Sequence, residues 1–132
     1  MIGRVLRPST GTKRYVNTIV MNTLKHRIEI GDPDLCVIDV RSREELDETG
    51  RIDTSFHLPL ERVLNGALGM SADDFEDEFG FIKPSKVCDV VFVCAAGVRS
   101  RIAAEVAVNG HGYTSVYNYK GGANEWFSEG PK

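Results

Sequence analysis

The chain has 132 residues, 42% of them hydrophobic and 27% charged, and a formal net charge of −3; this is the make-up of one soluble globular domain able to bury a core without disulfides or a structural metal. No apolar run approaches membrane-spanning length and no continuous apolar segment opens the chain, which excludes a membrane-spanning or secreted reading and predicts a soluble, intracellular protein. The charge is uneven: Met1 to Ile28 hold six Lys and Arg and no acid, while the remainder sets ten Lys and Arg against nineteen acids.

Residues 1–14 read as a basic, flexible extension and residues 15–132 as the domain. An acid-free start with Arg, Ser and Thr also suits a mitochondrial targeting segment, but Pro8 and Gly11 interrupt any amphipathic helix, so a basic arm is preferred. The expected location is therefore the cytoplasm, with the mitochondrial matrix as the alternative. Nucleic acid is not an expected partner, because the basic stretch has no interleaved aromatic residues and no recognition motif. Tyr15 and Val16 open a short edge strand, and Thr18 to Ile28 place Ile19, Met21, Leu24 and Ile28 on one face of a helix closed by Gly31, Asp32 and Pro33. Leu35 to Val40 is an apolar, β-branched run of the kind buried on both faces of a parallel sheet. Asp39 interrupts it, and a carboxylate at that depth needs a partner. Asp39 and Arg41 either border a ligand site at the carboxyl edge of the sheet or form an ion pair that fixes the turn; the second reading is preferred.

Ser42 and Glu45 have the spacing of a capping box, predicting a helix over Arg43 to Glu48 that ends at Gly50, followed by a brief strand near Phe56 to Leu58. His57 in that strand is read as a partly buried turn residue rather than a metal ligand, since His26 and His111 are remote and no Cys/His cluster accompanies them. Leu60 to Leu64 gives one or two helical turns. Ser71 caps a further helix, Ala72 to Phe79, whose acids form a solvated face and whose Phe75 and Phe79, with Phe81 beyond, pack inward or cover a pocket edge. Lys83 to Lys86 turns the chain into a second buried strand, Val87 to Cys94. A helix over Arg101 to Asn109 follows, with Ile102, Ala103, Val106 and Ala107 as its apolar stripe; then come a last strand, Val116 to Tyr119, and a final helix with Trp126 and Phe127 as core anchors. Strands alternating with helices predict an α/β fold with a parallel sheet covered on both faces.

The stretch Cys94-Ala95-Ala96-Gly97-Val98-Arg99-Ser100 turns the second buried strand into a helix. A thiol at that turn meets backbone N–H groups that lack helical partners, together with the positive end of the helix dipole, and both favour thiolate. Ala95 and Ala96 let the backbone curl, Gly97 permits positive φ, and Arg99 adds a permanent charge, so the loop reads as an anion nest with a nucleophile at its centre. Of the other cysteines, Cys36 is a small core residue; Cys88 stands roughly 20 Å from Cys94 if the strand is extended, too far to resolve a modified sulfur. Three cysteines without metal-ligand spacing favour neither disulfides nor zinc and fit a reducing compartment.

This loop resembles the active-site loop of single-domain rhodaneses, the sulfurtransferases with a Cys-x-x-Gly-x-Arg pattern. The resemblance extends to Val37-Ile38-Asp39-Val40-Arg41 with Glu44-Glu45, to Gly50-Arg51-Ile52 with His57-Leu58-Pro59-Leu60, and to Tyr119-Lys120-Gly121-Gly122 ahead of Trp126, about residues 15 to 129 in all. It implies a three-layer α/β/α sandwich around a parallel sheet of about five strands. It also implies sulfur transfer through a persulfide on Cys94, cradled by Ala95 to Ser100, with Asp39 and Arg41 as supporting residues and with no metal or organic cofactor. The implied partners are a small-molecule sulfur donor such as thiosulfate and an acceptor: cyanide, glutathione, thioredoxin or a protein thiol. One departure bears on the donor: Ala95 and Ala96 stand where thiosulfate-using relatives carry basic side chains, leaving Arg99 and Arg41 to attract a dianion, so modest thiosulfate activity is expected. Two alternatives remain at this level. Phosphatases and arsenate reductases of the same fold have five residues between Cys and Arg where this chain has four, and a non-catalytic rhodanese-like module would bind protein without thiol chemistry.

Overall fold

The computed structural model describes residues 15–128; the basic extension predicted over residues 1–14 lies outside them. The elements alternate as expected: β1 (Val16–Ile19), α1 (Met21–Glu29), β2 (Leu35–Asp39), α2 (Arg43–Thr49), β3 (Phe56–His57), α3 (Leu60–Leu64), a 3₁₀ turn (Ala67–Gly69), α4 (Ala72–Phe79), β4 (Asp89–Val93), α5 (Val98–His111), β5 (Val116–Tyr119) and α6 (Gly122–Phe127). The five strands form one sheet in the order β1-β5-β4-β2-β3, every pair parallel. Successive side chains of a strand point to opposite faces, so the apolar runs of β2 and β4 must be covered on both sides. On one face Val37, Val91 and Val93 pack with Leu24 of α1 and Trp126 of α6; on the other Ile38, Val90 and Phe92 pack with Val63 of α3, Phe75 of α4 and the alanines of α5. The result is three layers, α/β/α.

Three local expectations give way. Thr18 and Ile19 belong to β1, because pairing with β5 from Val16↔Val116 to Ile19↔Tyr119 sends Ile19 into the sheet core and leaves α1 to start at Met21. The buried stripe of α5 is Ala103, Ala104, Ala107 and Val108, whereas Ile102 faces outward, since the helix begins at Val98 and its phase is set by the loop before it. Phe127 is exposed at the end of α6, while Trp126 packs edge-on against Tyr119 with ring centroids 6.0 Å apart. Phe75 and Phe81 are buried, and Phe81 stacks on Phe56 at 4.4 Å.

Candidate active site

The carboxyl ends of β2 and β4, paired in register as Asp39↔Val93, bring two predicted groups side by side. At the end of β2, Arg41 is 1% exposed and held by partners at all three nitrogens: Nε and Nη2 reach the Asp39 carboxylate at 3.1 and 2.8 Å, Nη1 donates to Thr49 Oγ1 at 2.7 Å, and Nη2 also donates to the Gly50 carbonyl. This is the ion pair that fixes the turn. It also corrects the expectation that Arg41 attracts an anionic donor, because the guanidinium is buried below the surface and its charge is already balanced by the Asp39 carboxylate. His57 Nε2 donates to the Arg41 carbonyl at 2.7 Å, holding β3 to the same turn.

Beyond β4 the chain runs through Cys94 to Gly97, which takes φ +84° and opens α5. The Gly97 amide donates to Cys94 Sγ at 3.1 Å, and the Ala96 and Ser100 amides add to the stabilisation of the thiolate. Burial works against the thiolate, yet the hydrogen bonds from the Ser100 side chain and from the Ser100, Ala96 and Gly97 amides outweigh it and hold the thiol below its ordinary pKa. Cys36 shows the opposite: burial without such donors pushes its thiol up to about 12. Cys88 lies in the turn before β4, its Sγ donating to the Ser85 carbonyl, and burial raises its pKa as well.

The amides turn inward because the carbonyls are drawn outward. The Cys94 and Ala95 carbonyls accept from the Ala123 and Asn124 amides of α6 at 2.8 and 3.0 Å, and the Gly97 carbonyl accepts from Asn118 Nδ2 of β5 at 3.0 Å. Contact is so close that a Cβ on Gly97 would run into the Lys120 backbone, and one on Gly122 into the Cys94 and Ala95 carbonyls. Asn118 and the Gly121–Asn124 turn were not identified from the sequence as parts of the site. Their one signal is a polar side chain in an otherwise apolar strand, followed by a glycine pair.

Arg99 does not stand free. Its two terminal nitrogens meet the two Glu45 oxygens at 2.7 and 2.8 Å, and Glu45 at the same time completes the predicted capping box with Ser42. The guanidinium lowers the Glu45 pKa from 4.5 to about 2 despite some burial. Cys94 itself is 1% exposed, Ala95 and Arg99 are half-buried, and Ala96 and Val98 are exposed. A cavity of about 710 Å³ beside the loop is lined by Ala96, Gly97, Val98 and Lys120, with Cys94 behind them rather than in its wall. Chemically the arrangement is a recessed, activated thiol with anion-stabilising donors around it.

Comparison with known proteins agrees with this geometry. A family model described as a rhodanese-like domain matches residues 20–129. The rhodanese domain-containing protein CG4456 of Drosophila melanogaster is 40% identical over 94 residues, covering 71% of this chain and 83% of that protein. The protein named thiosulfate sulfurtransferase RDL2, mitochondrial, of Saccharomyces cerevisiae is 28% identical over 121 residues, 92% of this chain and 79% of its own. Among solved structures the human single-domain sulfurtransferase TSTD1 superposes with a TM-score of 0.78 at 29% identity, over 89% of this chain and all of the other.

Proposed function

The chain belongs to the rhodanese-like domain family, and on that premise we propose that it moves a sulfane sulfur from thiosulfate or a related donor to a thiophilic acceptor through a persulfide on Cys94. The observation that supports this reading is the set of amides converging on Cys94 Sγ. The Cys94 thiolate attacks the outer sulfur of thiosulfate, the S–S bond of the donor breaks, and sulfite leaves with the bonding pair. The new persulfide anion lies among the Ala95 to Ser100 backbone groups, which offer donors without desolvating a second charge. Cyanide, glutathione, thioredoxin or a protein thiol then takes the outer sulfur, and Cys94 returns as thiolate. Asp39 and Arg41 support the loop from below and touch no reactant.

Arg99 interacts electrostatically with Cys94, but Glu45 already balances it. With Arg41 sequestered, a dianion finds little net positive field, and thiosulfate turnover is expected to be modest. The deep sulfur favours donors that present a single terminal sulfur atom. Relatives named as mitochondrial support the mitochondrial matrix as a place of action. Incubation with thiosulfate should add one sulfur atom to the intact mass, and cyanide should remove it as thiocyanate. Cys94→Ser should abolish both; unchanged turnover in that variant removes Cys94 from the mechanism, and absence of any mass increase in the unaltered protein favours a non-catalytic binding module.

A further inference from the structure

A buried chain of three polar side chains leads from the sulfur into the sheet. Cys94 Sγ lies 3.2 Å from Ser100 Oγ, Ser100 Oγ lies 2.6 Å from Asn118 Oδ1, and Asn118 Nδ2 donates to the Gly97 carbonyl at 3.0 Å; all three residues are buried. The direction of each bond follows from chemistry. A carbonyl only accepts, so the Asn118 amide must turn its NH₂ to Gly97 and its oxygen to Ser100. An amide oxygen also only accepts, so the one Ser100 hydroxyl proton is committed to Asn118. Ser100 Oγ therefore has only lone pairs left for the sulfur, and in the protonated state the Cys94 S–H must be the donor.

We infer that Asn118 is a positioning residue for Cys94: by holding the Ser100 hydroxyl proton it fixes the thiol proton on the sulfur side of that contact, and the hydroxyl must rotate from Asn118 to the sulfur when the thiolate forms. This rests on Cys94 being the nucleophile. The Cys94 proton leaves to a base in solvent, since an amide oxygen is too weak a base to take it onward. After rotation the thiolate gains an O–H donor and the buried Asn118 oxygen loses its own. Asn118 thus limits how far Ser100 can stabilise the anion, although it never touches the sulfur. The charged groups around the sulfur are Arg99 of α5 with its Glu45 partner from α2, the Asp39–Arg41 pair at the end of β2, and Lys120 after β5. None of them changes in the test.

The rate of Cys94 alkylation by iodoacetamide against pH, followed by peptide mass, reads the thiol directly and needs no sulfur transfer. Asn118→Leu, which keeps the volume and removes the acceptor, should shift that titration down by about one unit, and Ser100→Ala should shift it up by a similar amount. In the Ser100→Ala background Asn118→Leu should give no downward shift, since only its bond to the Gly97 carbonyl is then left to lose. An upward or absent shift in Asn118→Leu, or the same downward shift in both backgrounds, overturns the inference. Should Asn118→Leu not fold, the unaltered protein still decides: an infrared difference spectrum against Cys94→Ser should show the S–H stretch of a hydrogen-bond donor at low pH, and the stretch of a non-donating thiol contradicts it. Failure of persulfide formation would leave these readouts intact, so the two readings fail separately.

Discussion

Glu45 is the residue that does most with one side chain. It caps α2 through Ser42 and balances the charge of Arg99 54 positions away, and the second role requires it ionised. Its pKa falls from 4.5 to about 2 in the folded protein, so the folded state binds fewer protons than the unfolded one. The resulting stability is fully present above the unfolded value and is lost as pH drops through the folded one, between about 4.5 and 2. Arg99 and Glu45 side chains are 37% and 31% exposed, so solvent screens the pair and the contribution is modest. Glu45→Gln should therefore unfold at lower denaturant than the unaltered protein at pH 7, with the gap closing as the pH falls to 2.5. A gap that stays constant with pH would assign the loss to packing rather than charge. The capping box was legible from the Ser42/Glu45 spacing; the ion pair was not, because nothing in the sequence brings position 99 to position 45.

Among the elements, the turn between β5 and α6 carries more of the site than its sequence suggests. Gly122 has φ +67° and a hydrogen where any side chain would meet the Cys94 and Ala95 carbonyls. Gly31 has nearly the same φ, +66°, but open space around it. Comparing Gly122→Ala with Gly31→Ala therefore separates backbone strain from loop displacement. Both should lose about 1–3 kcal/mol of stability from the left-handed conformation. Gly122→Ala should in addition lose most sulfur transfer at temperatures where it remains folded, while Gly31→Ala keeps it; equal activity in the two would mean that the turn does not hold the loop. The strand-to-helix switch at Cys94 was predicted because an apolar β-branched run gives way to small residues and then to a helical pattern. The start of α5 at Val98 rather than Arg101 was not, since a helix can begin within a loop only when Gly97 is held in its turn by contacts with β5.

For the molecule as a whole, the parallel sheet is the frame on which these contacts depend. β4 lies at its centre, buried from Val90 to Val93, and Phe92 meets residues of α3, α4 and α5 on one face. Phe92→Ala should cost about 3–5 kcal/mol, because strands paired on both edges cannot close the cavity left behind. Denaturant unfolding should remain a single transition with a lower midpoint, by fluorescence and by circular dichroism alike; two separated transitions would show that the face carrying Cys94 unfolds apart from the other. The alternation of strands and helices, the two-sided burial of β2 and β4, the capped helices and the place of Cys94 at a strand-to-helix turn were all legible in the chain, because they follow from local periodicity and from chemistry a few residues wide. The enclosure of Arg41, the balance of Arg99 by Glu45, and the hold of Asn118 and the Gly121–Asn124 turn on the loop's carbonyls came only with the assembled fold. Those contacts join positions distant along the chain, and their partners are set by strand order and register, which parallel crossovers fix only once the sheet has assembled.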